Sequence, residues 1–378
     1  MVQHLKPLTT LRGIAALIIV LHHALGYFLT PLGEAIARHS YFFAQGYLWV
    51  DFFFILSGFV LAHVYSQRFA ETVVGWGYRE FIFARFARLY PLHIVVLGGV
   101  VLLELLLSST PFTGNQSLMG LFSNLFMLQG FDWQRPPLFN GWTYWNEPAW
   151  AISVEWLLYL VFPWMLLNSL RLKRRGAISV AIGAYLTLAV VTLINSGHLD
   201  CLGIPGMLRC LAEASLGILI YRYYQTYGQA FNHRIATLTV VMSMVGVAII
   251  MHTRAYDLMA IPCFSLLILA AARLRSVAGP ASLLHSQVGL YLGTLSYGIY
   301  MVHWPIQVFT IALLRQYFSS PLGTDWSMAA MGALLILHLV MVLGFAALAY
   351  HTIEAPLRTW LRQASWSPKI SATSKSLS

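Results

Sequence analysis

The chain has 378 residues, of which 58% are hydrophobic and only 10% are charged. Soluble domains carry about 25% charged residues, so this composition excludes an ordinary water-soluble protein. The formal net charge of +10 does not indicate a nucleic-acid partner, because the basic residues lie in short loops between apolar runs and act there as topology signals. The three cysteines lack metal-ligand spacing, so no metal site is expected.

The apolar runs have the length, about 17–25 residues, that crosses a hydrocarbon core of about 30 Å. They predict an all-α polytopic membrane helix bundle of about ten transmembrane helices, forming one domain over residues 1–361. The candidate spans are 8–28, 47–66, 86–108, 149–168, 177–195, 205–224, 236–252, 257–272, 288–313 and 328–352. The longest break, 114–149, is predicted to be an extramembrane loop with an amphipathic piece at Leu118 to Leu128. Residues 362–378 are rich in Ser and Lys and are predicted to be a disordered cytoplasmic tail.

The distribution of basic residues predicts the orientation. Most of the 23 Lys and Arg residues fall in the loops on one side of this layout. The other side has only Arg38, Arg135, Arg209, Arg254 and Arg315. Because cytoplasmic loops are enriched in Lys and Arg, both termini are predicted to be cytoplasmic.

The first span carries a cationic residue, Arg12, and an imidazole, His23, on one helix face. Arg12 and His23 lie eleven residues apart, which is about 16 Å of helix, and at about 100° per residue they return to nearly the same face. His22 points to a different face. A lone intramembrane histidine is often only a hydrogen-bonded packing residue. A polar stripe facing lipid would cost several kcal/mol, however, which favours a functional role for His23.

The second span opens with Asp51 and continues as an apolar run to Phe59. A buried aspartate needs a partner, and His23 enters the membrane from the same side. The alternative is that Asp51 is the N-cap of the helix. Ser57 and Gly58 permit close approach of another helix, so packing is the simpler interpretation of this pair.

Arg85 and Arg88 lie three residues apart at the start of the third span, on one helix face. Two neighbouring guanidinium groups suit a phosphate-bearing ligand, because their planar forks bind oxyanions bidentately. The alternative is a cytoplasmic anchor that follows the positive-inside rule.

In the fourth span, Glu155 lies within one or two turns of the far side, at the depth inferred for His23. A carboxylate at this depth is either paired or neutral, and in both cases it is a candidate to orient an imidazole. Glu155 and Asp51 are therefore alternative partners for His23.

Two later spans and the segment after the last span add buried polar candidates. Arg209 and Glu213 stand four residues apart in the sixth span and are predicted to pair with each other. In the ninth span, His303 is a second buried imidazole close to the helix-kinking Pro305. Glu354 follows the last span and is either a functional polar residue or only a terminal cap.

These segments together resemble acyltransferase family 3, whose members are membrane proteins that O-acylate cell-surface polysaccharides and related glycans. The resemblance runs in order from about residue 8 to 358 and covers nearly the whole chain. Its motifs are Arg12-x10-His23, Asp51 to Phe59, Arg85-x-x-Arg88, Ser153 to Trp156, Ser296 to Pro305 and Glu354-x-Pro-x-Arg358.

The resemblance implies transfer of an acyl group from a cytoplasmic donor, acetyl-CoA or another acyl-CoA, to a hydroxyl of a glycan or lipid-linked sugar. The acyl-CoA is a co-substrate, and no tightly bound cofactor is expected. The donor and its phosphates would be held by Arg12, Arg85 and Arg88. His23 would be the catalytic base or would carry the acyl group transiently. The expected location is the cytoplasmic membrane of a bacterium.

Two other classes of protein are compatible with the hydropathy pattern. A secondary transporter also has about ten spans and uses buried His, Asp and Glu as a proton relay. It would more often show two halves with matching Gly- or Pro-broken helices, and the sequence has none. A membrane scaffold would not need three cationic positions and a buried histidine on matching faces.

Overall fold

The computed structural model describes residues 4–108, 112, 116–131, 145–228, 232–274, 280–317 and 326–364. Over these ranges the chain forms helices, turns and loops and contains no β-strand. The tail predicted for residues 362–378 lies outside the described residues from 365 onward.

Thirteen α-helices are formed in the described ranges. Their bounds are α1 Lys6–His23, α2 Thr30–Ala37, α3 Trp49–Tyr65, α4 Gly75–Leu107, α5 Leu118–Leu125, α6 Trp150–Arg171, α7 Arg174–Ile194, α8 Gly203–Tyr227, α9 His233–Thr253, α10 Ala260–Ala271, α11 Gln287–Tyr317, α12 Met328–Ala349 and α13 Ala355–Ala364. A π-helical turn, Ala24–Phe28, extends α1, and another, Tyr350–Glu354, joins α12 to α13.

In the part of the chain that the structure describes, nine helical segments are long and apolar enough to cross a membrane. This confirms the prediction of an all-α polytopic membrane bundle. The predicted span 257–272 instead forms a short helix, α10, which has 12 residues and is about 18 Å long. Its side chains are mostly buried, and apolar helices of this length commonly fill cores.

Glycines allow a very close contact between α3 and α8. A Cβ atom added at Gly58 would lie 2.1 Å from the carbonyl oxygen of Ala214, and one added at Gly217 would lie 2.1 Å from that of Ile55. Only glycine leaves room for such an approach, which is a common way to pack membrane helices. The packing interpretation of Gly58 is therefore confirmed.

Helices α1 and α11 cross in the same manner. A Cβ atom at Gly13 would lie 2.7 Å from the backbone nitrogen of Gly293, and one at Gly293 would lie 1.8 Å from the carbonyl oxygen of Thr9. The polar stripe predicted on α1 consequently faces α11 rather than lipid.

Pro305 lies inside α11 and has no N–H group to donate to the carbonyl oxygen of Met301, four residues earlier. The side-chain amide of Asn146 donates to that oxygen instead, at 2.9 Å. This bond ties the segment that precedes α6 to the middle of α11, and both elements contribute to the site described below.

Candidate active site

The three arginines predicted to act together line one cavity, which we call the arginine cavity. It encloses about 190 Å³ between α1, α3, α4, α6 and α11. Apolar side chains form the rest of its wall. Its polar lining consists of Arg12, Ser57, Arg85, Arg88, Glu155, Tyr159, Ser296, Tyr297 and Tyr300.

The guanidinium groups in this cavity contact neutral side chains. Arg12 donates to the hydroxyl of Ser296 at 3.2 Å, and Arg85 donates to the hydroxyl of Tyr65 at 3.2 Å. Within the described ranges, Arg12, Arg85 and Arg88 form no ion pair with a carboxylate. An anchor at the membrane surface would project into water or headgroups, whereas these half-buried residues line a cavity between helices. Their arrangement suits an anionic ligand.

Glu155 belongs to the arginine cavity. One of its carboxylate oxygens accepts hydrogen bonds from the hydroxyl of Ser57 at 2.7 Å and from that of Tyr159 at 2.5 Å. The prediction that Glu155 orients His23 is therefore wrong in this structure. The depth of Glu155 in α6 was inferred from the sequence, but depth does not determine which neighbouring helix the side chain faces.

Asp51 is also separate from His23. Its carboxylate accepts a 2.7 Å hydrogen bond from Nε of Arg209, and α3 begins two residues earlier with Leu48 as its N-cap. Asp51 is thus neither an N-cap nor the partner of His23. The predicted Arg209–Glu213 ion pair is present at 3.6 Å, but the shorter contact is with Asp51. All three side chains are fully buried, where charges must be paired.

His23 lies in a second cavity of about 250 Å³, which we call the histidine cavity. Val50 and Tyr300 line both this cavity and the arginine cavity, so the two spaces adjoin at those side chains. The polar lining of the histidine cavity consists of His22, His23, Tyr27, Tyr47, Glu147, Asn195, Asp200, Cys201, Arg209 and Tyr300. His23 therefore faces an internal space next to the cations, as the spacing on α1 predicts.

The hydrogen-bond partner of His23 is His303. Nδ1 of His303 lies 2.8 Å from the carbonyl oxygen of Tyr300, which can only accept, so this nitrogen carries the proton. Nε2 of the neutral His303 ring then accepts from Nδ1 of His23 at 3.1 Å. Nε2 of His23 is left with a free lone pair, as a general base requires. The rings are stacked with their centroids 5.0 Å apart.

His22 differs from its neighbour in its partner. Its Nδ1 donates to the carbonyl oxygen of Phe43 at 2.9 Å, which ties the ring to the loop before α3. Both imidazoles line the histidine cavity, but only His23 is also held by α11, the helix that contacts Arg12. One face of α1 therefore carries Arg12 in the arginine cavity and His23 in the histidine cavity.

Glu354 lies in the π-helical turn Tyr350–Glu354, which continues directly into α13, so the interpretation as a terminal cap is wrong. Its carboxylate is buried, and Oε1 has no hydrogen-bond partner in the described residues. That atom would lie 3.2 Å from a Cβ atom added at Gly298. Glu354 thus packs against α11 behind the arginine cavity.

Sequence reasoning missed the roles of two tyrosines. Tyr159 follows Glu155 by four residues on the same face of α6, a spacing that was visible in the sequence. Tyr300 separates the two cavities and donates to the carbonyl oxygen of Pro148 at 2.6 Å. Nothing local marks Tyr300, because its role depends on the packing of α11 against distant segments.

A polytopic bundle with a cationic cavity beside a histidine cavity is the arrangement expected of a membrane enzyme. A family model described as an acyltransferase domain matches residues 7–350. The chain therefore belongs to acyltransferase family 3, and it is a multi-pass membrane enzyme that transfers acyl groups. This assignment displaces the transporter and scaffold alternatives.

Two curated relatives are similar to this chain. Acyltransferase MdmB of Streptomyces mycarofaciens is 29% identical over 379 residues, which cover 94% of this chain and 92% of the relative. Protein 2 in picA locus of Rhizobium radiobacter is 35% identical over 160 residues, which cover 40% of this chain and 77% of the relative. No solved structure matches the chain at a significant level.

Proposed function

We propose that the enzyme moves an acyl group from a cytoplasmic acyl-CoA to a hydroxyl of a glycan or lipid-linked sugar, in the cytoplasmic membrane of a bacterium. Acetyl-CoA is the first candidate donor. The observation that carries this proposal is the contact between the two cavities at Val50 and Tyr300. It supports a path on which a donor held by cations presents its thioester to the base on the other side.

The arginine cavity fits the anionic part of such a donor. Three guanidinium groups without carboxylate partners are available to bind phosphate oxygens bidentately. Arg12 lies about 16 Å along α1 from His23. A flexible pantetheine arm is long enough to cover this distance while the phosphates stay with the arginines.

His23 fits the role of general base. The acceptor hydroxyl gives its proton to Nε2 of His23 as its oxygen attacks the thioester carbonyl, forming the C–O bond. When the tetrahedral intermediate collapses, the C–S bond breaks and the thiolate of CoA leaves. The imidazolium returns the proton to that thiolate, so the products are an ester and CoA, and the base is regenerated.

We propose His303 as the residue that fixes the tautomer of His23. The carbonyl oxygen of Tyr300 sets the proton on His303, and His303 in turn requires the proton of His23 to be on Nδ1. These two hydrogen bonds orient His23, which is the role that the sequence suggested for a carboxylate. Unlike a carboxylate, His303 adds no charge to the buried pair.

The test uses purified full-length protein in lipid vesicles with isotopically labelled acetyl-, propionyl- and butyryl-CoA. The acceptors are free glycans and lipid-linked sugars. The expected products are a base-labile ester on a sugar hydroxyl and one free CoA for each ester. Heat-denatured protein is the control. If no acyl-CoA yields such an ester with any acceptor, or the label enters an amide, the proposal is contradicted.

A further inference from the structure

A third cavity lies beside the histidine cavity, and we call it the vestibule. It encloses about 650 Å³ between the end of α4, the second half of α11 and the segment before α6. Ligand sites of about 300–1,000 Å³ accommodate small organic molecules. Tyr27 and Glu147 line both the vestibule and the histidine cavity, so a molecule seated in the vestibule adjoins the space that holds His23.

Two aromatic rings form a corner where the vestibule meets His23. The rings of Tyr27 and Trp304 lie 5.6 Å apart between centroids and at 74° to one another. Their centroids are 5.9 Å and 5.7 Å from that of His23. Tyr27 is 53% exposed, so part of this aromatic surface is free to contact a ligand. Aromatic faces bind apolar C–H surfaces and leave the polar edge of the ligand free.

The charges near this corner are negative. Glu104 and Glu147 are the charged side chains among the described residues that line the vestibule. The histidine cavity adds Asp200 and Arg209, and the guanidinium of Arg209 is already bound by Asp51. Carboxylates accept hydrogen bonds from hydroxyl and ammonium groups. They repel an anionic ligand in a partly buried site.

We propose that the vestibule binds the acceptor as a terminal sugar unit that is neutral or carries an amine, and that it discriminates against uronic acids and other anionic sugars. The C–H face of the ring packs on Tyr27 and Trp304, and Glu104 and Glu147 accept hydrogen bonds from its hydroxyls. A hydroxyl at the edge of the ring then points to His23. This inference rests on the proposed function and names its acceptor class.

The experiment compares methyl glycosides of neutral hexoses, hexosamines and hexuronic acids in matched stereochemical series, with labelled acetyl-CoA and the reconstituted full chain. The neutral and amine-bearing sugars are expected to exceed the uronic acids in kcat/KM by about tenfold or more, because like charges repel in a partly buried site. Equal transfer to uronic acids by the wild type overturns the inference.

Variants of the two vestibule glutamates test whether these carboxylates cause the discrimination against uronic acids. Glu104→Gln combined with Glu147→Gln should reduce the discrimination against uronic acids by about tenfold. Glu71→Gln is the matched control, because Glu71 is an exposed glutamate that lines neither the vestibule nor the histidine cavity, and it should leave the ratio unchanged. Discrimination that persists in the double variant contradicts the inference.

The aromatic corner has its own test. Trp304→Ala should raise KM for every neutral sugar by about tenfold with little change in kcat, and Trp304→Phe should restore most of the affinity. Binding of CoA to each variant, measured by calorimetry, is expected to be unchanged. Wild-type protein that binds CoA and acylates other hydroxyl compounds, but none of these sugars, overturns the inference and leaves the proposed function standing. Protein that neither binds CoA nor uses any acyl-CoA overturns the proposed function.

Discussion

The arginine cavity and the histidine cavity meet at two side chains but differ in charge. The first has three guanidinium groups and one carboxylate, whereas the second has two carboxylates and one guanidinium that is engaged by Asp51. The vestibule is also acidic, because Glu104 lines it. An anionic donor and a neutral or cationic acceptor would therefore each be favoured on its own side of Val50 and Tyr300. Under the proposed function, this charge difference would keep the two substrates apart until they meet at His23.

The largest loss of activity is expected when the proposed base, His23, is removed from the histidine cavity. His23→Gln should lower kcat by about 10²–10⁴-fold, because a general base contributes that much to proton transfer. The affinity for CoA should stay within about twofold of wild type, since the arginines are intact. Transfer kinetics and calorimetry on the same preparation measure both quantities.

His22→Gln tests the choice of imidazole. The ring of His22 is tied to the carbonyl oxygen of Phe43, so we expect this variant to retain most of the transfer activity. If His22→Gln is inactive and His23→Gln is active, the roles of the two histidines are exchanged.

The next effect concerns stability. Asp51→Asn should destabilise the protein by about 3–5 kcal/mol, because it leaves the buried Arg209 with one poorly placed carboxylate partner. The measured quantities are the yield of monodisperse protein and its thermal unfolding temperature in detergent. A stable Asp51→Asn protein with a selective loss of kcat would contradict the structural role assigned to Asp51.

On the cationic side, Arg85→Gln should weaken CoA binding by about ten- to hundredfold, the effect of losing a charged hydrogen bond. The matched control is Arg79→Gln, which removes the same charge from an exposed position of α4. Calorimetric titration with CoA compares the two variants. Equal losses in both would indicate a general effect of surface charge rather than a specific donor site.

A smaller loss of activity than in His23→Gln should come from breaking the hydrogen bond between His303 and His23. His303→Phe removes the acceptor for Nδ1 of His23 and should lower kcat by about tenfold, the contribution of one hydrogen bond. His303→Gln supplies an amide oxygen that can accept the same bond and should restore much of the rate. A purely structural role predicts no such recovery, and the pH profile of kcat in the two variants distinguishes the cases.

The sequence predicted the helices and one shared face well, because both depend on local periodicity. The hydrophobic runs located the spans, and the spacing of Arg12 and His23 predicted their common face, which the structure packs against α11. The partners of charged groups were predicted poorly. Asp51 and Arg209 are 158 residues apart in the chain, and His23 and His303 are 280 apart. Such pairings depend on how the helices pack, which a single sequence does not specify.

The orientation of the bundle, with both termini cytoplasmic, stays a prediction from the distribution of Lys and Arg. It matters here because it places the arginine cavity toward the side on which acyl-CoA is made. Cysteine labelling from each side of sealed vesicles, at Arg79 and Glu34 replaced by Cys, would establish it. These positions lie on helices that begin or end at opposite ends of the bundle.

The most direct test of the central claim is a cryo-electron microscopy structure of the reconstituted protein with CoA bound. We predict phosphate oxygens within hydrogen-bond distance of Arg12, Arg85 or Arg88, and the sulfur directed at the boundary formed by Val50 and Tyr300, toward Nε2 of His23. CoA phosphates bound away from these arginines, or a sulfur pointing away from that boundary, would contradict the account.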